Sequence, residues 1–281
     1  MNVNDLIGGY LYGMRALGAI SGTYHTNTLE GYEHWSKAGI KFWETDVAIT
    51  DDNKYVMIGH FLDRLTMNRM EINDIPEILT YDWYMKQILF PKSTRGLTPL
   101  SLEMVIELAL RYPDTIYMLD LYPFSLDNSY SMTMRFLEYL DNVIGNNTEL
   151  YDSIIIEIYN KDMIHAIREF GKVKFVQMSV SKFIENEGVK DINDVIQFFK
   201  ENEVNVISYE WRYARKHPEH LSALKDQGFI FVSRSVTNLF DNGYKRKNGV
   251  NISLLDFYVR SPLDFIDLFR LALSRLQKKH G

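Results

Sequence analysis

The chain has no cysteine. Disulfides, zinc–thiolate sites and a cysteine nucleophile are thereby excluded, and a cytoplasmic setting is the expectation. No stretch approaches 18 uninterrupted apolar residues, so no transmembrane helix is expected. The first residues, Met1-Asn2-Val3-Asn4-Asp5, carry neither the basic start nor the long apolar run of a secretory leader, and none is expected. An excess of positive charge is missing as well. The 31 basic residues stand against 37 acidic ones, a net charge of −6, which removes the electrostatic case for a nucleic-acid partner. The acidic surplus is also too small for a solvating tail. No linker rich in Gly, Ser or Pro divides the chain, and no short-period repeat runs through it.

What is present is apolar surface. Of the 281 residues, 46% are hydrophobic and 14% aromatic, enough for a large core and too much for disorder. The length suits one α/β barrel of roughly 250 residues or two modest domains. Short apolar runs read as strands at Ala16–Ile20, Ile40–Val47, Tyr55–His60, Thr115–Leu121, Ser153–Ile158, Val173–Met178, Val204–Tyr209, Phe229–Ser233 and Gly249–Leu255. Helical periodicity lies between them at Thr28–Ala38, Ser101–Tyr112, Ser131–Ile144, Asp162–Phe170, Ile192–Glu201 and Pro218–Gln227. Ser101 and Pro218 read as helix starts, and Gly171 and Gly228 as helix stops that feed a strand. About eight such units predict a TIM-type (β/α)8 barrel occupying residues 1–281 as a single domain.

Residues 67–96 break the alternation and follow the third strand. They read as an insertion that either shapes the substrate mouth or forms a surface excursion with its own small helix. The last segment has the start of a capped helix in Ser261-Pro262-Leu263-Asp264, and a helix is expected over about 262–279. Ile266, Phe269, Leu273 and Leu276 give it an apolar face, which closes a barrel, packs on a partner subunit in a homo-oligomer, or touches a membrane.

The chemistry is expected at strand ends. Glu44 and Asp46 follow Phe42 and Trp43 in one apolar strand. Residues i and i+2 share a face, so the two carboxylates point the same way about 7 Å apart. An acidic pair on a buried strand is costly unless it is paired or holds a metal, and its spacing suits one hard cation. A glycosidase pair is a poorer fit, because those carboxyls face each other across a bond. Asp120 ends another strand and is either a third oxygen ligand at the same barrel mouth or a turn acid before Tyr122-Pro123. His60 ends the strand after the acidic one and is the candidate proton carrier.

These residues, in this order, resemble the glycerophosphodiester phosphodiesterase family, within the phospholipase-C-like phosphodiesterases. The E-x-D element is Glu44-Thr45-Asp46. A T-x-D-G-x-x-V-like stretch follows as Thr50-Asp51-Asp52-Asn53-Lys54-Tyr55-Val56, then His60 and a D-R-x-T element, Asp63-Arg64-Leu65-Thr66. Pro99-Leu100-Ser101-Leu102-Glu103 matches a P-x-L-x-E helix start. Asn27-Thr28-Leu29 matches an Asn-Thr-Leu element of the first helix, and Val236-Thr237-Asn238 a late T-V-N-like segment. The resemblance runs from about Arg15 to Asp256. It implies a barrel, a phosphodiester or other phosphorylated small molecule as ligand, and a divalent cation, Mg²⁺ or Ca²⁺, on Glu44, Asp46 and Asp120. It also implies acid/base work by His60 and a second histidine.

That second histidine has no counterpart here. The stretch where the family carries it reads Met14-Arg15-Ala16-Leu17-Gly18. One alignment puts Arg15 at its position, and a shift of one residue puts Met14 there and makes Arg15 the phosphate-binding arginine; neither supplies a histidine, and a guanidinium clamps phosphate but is no base near neutral pH. The family's Glu before Asn-Thr-Leu is Thr26, the Asp after the histidine is Phe61, and the Lys after the third carboxylate is Tyr122. His25, on the first loop, either substitutes for the missing histidine or is an ordinary loop residue. Trp211 and Arg212 follow a strand end and either line the mouth against substrate or pack in its wall. The resemblance implies a metal-dependent hydrolase of a glycerophosphodiester-type substrate, with a barrel that binds metal and a phosphorylated ligand without turnover as the alternative.

Overall fold

A computed structural model describes residues 11–20, 23, 25–59, 61–94, 96–209, 211–225, 227–236 and 252–255. Its frame is a ring of eight parallel strands: β1 (Leu11–Met14), β2 (Phe42–Ile49), β5 (Ile116–Asp120), β6 (Ile154–Ile158), β7 (Phe175–Ser179), β8 (Val206–Ser208), β9 (Ile230–Val236) and β10 (Ile252–Leu255). β2, β5, β6, β7, β8 and β9 pair in that order, β9 pairs with β10, β10 with β1, and β1 closes the ring on β2 through Gly13↔Phe42 and Met14↔Trp43. Every residue of β5, β6, β7 and β8 is buried, as parallel strands covered on both faces require.

Side-chain alternation sorts these strands into two cores. Phe42, Met118, Ile155, Phe175, Val206 and Leu254 belong to a cluster made by strands alone, which is the barrel interior. Their neighbours Trp43, Leu119, Ile156, Val176 and Phe231 pack outward with helix residues such as Tyr32, Val105, Phe136 and Phe199. Gly13 is required where the ring closes: a Cβ there would stand 2.6 Å from Phe42 Cδ1 and 2.7 Å from Leu254 Cδ2. The helices begin on side-chain caps. Thr28 accepts from Gly31, Ser101 from Met104 and Asn160 from Met163. Gly171 ends the helix Lys161–Phe170 in the left-handed region, at φ 74°.

The first strand lies earlier than the run Ala16–Ile20 predicts. That run instead starts in a 3-10 turn, Arg15–Leu17, with Ala16 and Leu17 at φ 45° and 55°. Ala16, Leu17 and Ala19 are buried there, and a short buried run looks the same whether it is a strand or a packed turn. Its backbone is satisfied without a ladder: the Ala16 N–H donates to Glu44, and the Ala16 carbonyl accepts from the Asn27 N–H.

β3 (Tyr55–Met57) is antiparallel to β2 and stands outside the ring. The link from β2 to β3 is a tight turn closed by Thr50 N–H to the Lys54 carbonyl, far too short for a parallel crossover. β4 (Leu100–Ser101) pairs antiparallel with β3. The insertion between them contains helices Arg64–Arg69, Tyr81–Met85 and Pro91–Thr94 and builds a third core around Ala48, Val56, Met67, Tyr84 and Leu97. The helix Val180–Glu187, which follows β7, is not among the expected helices; its N-cap residue, Ser179, makes no side-chain cap hydrogen bond. No helix among the described residues is long and apolar enough to cross a membrane. The expected helix at about 262–279 lies outside the described residues, as do Thr237 and Asn238.

Candidate active site

The interior of the ring changes character along its axis. Its N-terminal layers are apolar, while the residues nearest the C-terminal strand ends are Glu44, Asp46, Asp120, Glu157 and Gln177. The register sets Asp46, Asp120, Glu157 and Gln177 side by side on neighbouring strands. Glu44, Asp120, Glu157 and Gln177 are wholly buried, and Asp46 is 4% exposed.

Glu44, Asp120 and Glu157 converge, with carboxylate oxygens all within 4.8 Å of one another. Two like charges at that separation cost about 3 kcal/mol per pair at the effective dielectric of a protein interior. Part of the compensation is visible. The Ala16 N–H donates to Glu44 Oε2 at 2.6 Å, and Arg15 Nε lies 3.7 Å from Glu44 Oε1. Asp120 Oδ1 accepts from the Tyr159 hydroxyl at 2.7 Å and from the Tyr122 N–H at 2.9 Å. The remaining donor set is oxygen-only, buried and anionic, and so fits a hard divalent cation.

Asp46 is held from a different direction. Asn27 Nδ2 donates to Asp46 Oδ2 at 2.9 Å, and Asn27 Oδ1 accepts from the Thr45 hydroxyl at 2.8 Å. Asn27 sits at φ 48° and His25 at φ 54°, in the loop that also carries Ala16 and Leu17. Four non-glycine residues in the left-handed region within one loop mark strained backbone, which collects at functional sites.

His60 lies outside the described residues. The Ile58 N–H donates to the Asp46 carbonyl at 3.0 Å, and the Phe61 ring meets Tyr122 edge-on at 6.3 Å. Tyr122 in turn meets Tyr159 at 5.2 Å. His25 is half-buried on the first loop. Trp211 and Arg212 open the helix Trp211–Lys216 just beyond β8, at the C-terminal side of the ring.

The structure therefore gathers Arg15, Glu44, Asp46 and Asp120 at one mouth and adds residues that the sequence reading passed over. Glu157 is embedded among isoleucines in Ile154–Ile158. A lone carboxylate in such a run is itself a signal, since its burial needs a partner. Gln177 and Tyr159 carried no comparable mark.

The Glycerophosphoryl diester phosphodiesterase family matches the chain over residues 19–208. No curated protein matches it in sequence. In structure the chain is similar to a glycerophosphodiester phosphodiesterase from Parabacteroides distasonis ATCC 8503, at 16% identity and TM-score 0.66, over 95% of this chain and 98% of that one. It is similar to the glycerophosphodiester phosphodiesterase of Thermotoga maritima at 15% identity and TM-score 0.63, over 93% and 97% of the two chains. It is also similar to an Oleispira antarctica phosphodiesterase in complex with the product sn-glycerol-3-phosphate, at 12% identity and TM-score 0.64, over 94% and 96%.

Proposed function

The chain belongs to the glycerophosphoryl diester phosphodiesterase family of phosphoric diester hydrolases, and from that premise we propose that it cleaves a glycerophosphodiester-type substrate with the help of a divalent cation. The observation that carries the proposal is the convergence of Glu44 and Asp120 on one buried point, with Asp46 beside them in register. These three residues would hold the ion, Mg²⁺ or Ca²⁺. Bound there, the ion would draw charge from the phosphoryl oxygens and stabilise the transition state.

The chain's own residues supply the rest. Arg15, part exposed at the mouth beside Glu44, offers a planar fork of donors to the non-bridging oxygens of the phosphate. Asn27 fixes the Asp46 carboxylate through its Oδ2. His60 takes a proton from the attacking group or gives one to the departing alkoxide. His25, Trp211 and Arg212 meet the parts of the substrate that do not react. The product bound by the Oleispira antarctica relative supports a glycerol phosphate as one product. The test is turnover of a broad panel of glycerophosphodiesters with Mg²⁺ or Ca²⁺. Hydrolysis that EDTA stops and that His60→Ala abolishes is expected, and no turnover across the panel rejects the proposal.

One observation favours a second reading. The residue that follows β1 is Arg15, paired to Glu44, where the family pattern carries a histidine. In this reading the barrel binds metal and a phosphorylated ligand and no longer turns over. Binding of sn-glycerol-3-phosphate with no hydrolysis of any diester would select it. Efficient hydrolysis by the wild type excludes it.

A further inference from the structure

The family pattern accounts for acids on β2 and β5, but the polar wall of the barrel continues past them. Glu157 on β6 and Gln177 on β7 are neighbours in register. Ile155 and Phe175, two residues before each, belong to the interior core, so Glu157 and Gln177 face the interior as well. Both are 0% exposed.

Two independent observations connect them to a ligand. Glu157 brings a carboxylate oxygen within 4.8 Å of those of Glu44 and Asp120, so three strands aim acids at one place. Beside it, the Gln177 amide has no hydrogen-bond partner among the described residues, on either its oxygen or its nitrogen. A buried amide of this kind is costly unless something outside the protein chain satisfies it. Its oxygen is a hard donor of the type that Ca²⁺ and Mg²⁺ accept. Asp46 is further constrained, because Asn27 already holds its Oδ2.

We propose that Glu157 is a direct ligand of the cation in this chain and that the Gln177 amide oxygen contributes to the same shell. The metal centre then draws on β2, β5, β6 and β7, rather than on the E-x-D strand and β5 alone. The proposal rests on the reading of the mouth as a cation site.

The test is calorimetric titration of Ca²⁺ and, separately, Mg²⁺ into EDTA-dialysed full-length protein, with no substrate present. Glu157→Gln, a near-isosteric change, is expected to weaken binding by at least the roughly 10–100-fold that loss of an outer-shell partner causes, and Gln177→Leu by a smaller factor in the same direction. A second readout separates a ligand from a structural residue. The metal-free Glu157→Gln protein should melt no lower than metal-free wild type, since a repelling charge is gone, yet gain less on adding the ion. Wild-type affinity in Glu157→Gln overturns the inference and leaves the proposed function standing. Silence of the wild type toward both ions overturns the metal reading itself. If Glu157→Gln does not fold, unchanged affinity in Gln177→Leu overturns the part of the proposal that concerns the amide.

Discussion

Asn27 and Asp46 are joined side chain to side chain, Nδ2 to Oδ2 at 2.9 Å, across the gap between the first loop and the second strand. The same asparagine accepts from Thr45 through its carbonyl oxygen. One residue thereby sets the direction of a mouth carboxylate and anchors a strained loop to the ring. Asn27→Ala is expected to lower kcat/KM on a glycerophosphodiester about 10–100-fold, the usual effect of removing a residue that orients a metal ligand. It should also cost about 1–3 kcal/mol of stability, because buried partners lose their bond. Kinetics and denaturant unfolding check both. A variant with native kinetics would remove Asn27 from the site's support.

Metal removal should act on stability as well as on rate. Buried carboxylates within 4.8 Å repel one another, so the EDTA-treated protein is expected to melt lower and to recover on adding Ca²⁺ or Mg²⁺. At a concentration 100 times the Kd, the gain is about 2.7 kcal/mol. A melting temperature indifferent to EDTA and to both ions would count against a cation site.

Arg15 gives a kinetic signature that distinguishes binding from proton transfer. It lies 3.7 Å from Glu44 and remains part exposed. Arg15→Ala should raise KM for a diester more than it lowers kcat, since a phosphate clamp acts on bound substrate in both states. Arg15→Lys should recover only part of the loss, because an ammonium does not reproduce the planar fork. A pure kcat effect with KM unchanged would argue against the clamp.

Tyr159 donates to Asp120 at 2.7 Å. Tyr159→Phe removes that bond and leaves the ring that packs on Tyr122. The expected cost is about 1 kcal/mol in stability and a weaker affinity for Ca²⁺, both small beside Asp120→Asn. Calorimetry on the two variants side by side makes the comparison.

The alkaline limb of stability should be steep. Burial pushes the Tyr55 hydroxyl up to about 12, and burial raises Tyr84 and Tyr117 as well. A raised folded value means the unfolded chain ionises first. The contribution is therefore full below the ordinary tyrosine value near 10 and lost as pH climbs through about 12. Unfolding free energies measured between pH 9 and 12 should fall, and Tyr55→Phe should flatten that fall (the range is about two pH units above the unperturbed tyrosine value).

The barrel was legible because its strands are short, mostly apolar and separated by amphipathic helices, several of them capped. Ile154–Ile158 and Ile192–Glu201 appear in the structure nearly where periodicity places them. The start of the ring was not. Gly13 weakens the strand signal at Leu11–Met14, while the buried turn at Ala16 imitates one. The antiparallel β3 looked like a ring strand because its composition is the same, and only the shortness of the preceding turn gives it away. At the mouth, Glu44, Asp46 and Asp120 were visible as acids ending apolar strands. Glu157 was hidden by being counted as part of a strand, and Gln177 by carrying no charge. Convergence of acids across three strands is a property of register, and no local pattern records it.

The closure at β1 has a consequence for how the chain folds. Leu11–Met14 completes the ring only by pairing with Ile252–Leu255 on one side and Phe42–Trp43 on the other. The first of these contacts joins opposite ends of the described sequence, whereas the other ring pairings join strands much nearer in sequence. Contacts of such long range form late and slowly. The open seam would then expose the edges of β10 and β2, and with them the apolar interior around Phe42 and Leu254, for as long as β1 is undocked. An extra bulky side chain at position 13 should show itself first as slow refolding and association of that intermediate, before any defect in the mouth chemistry.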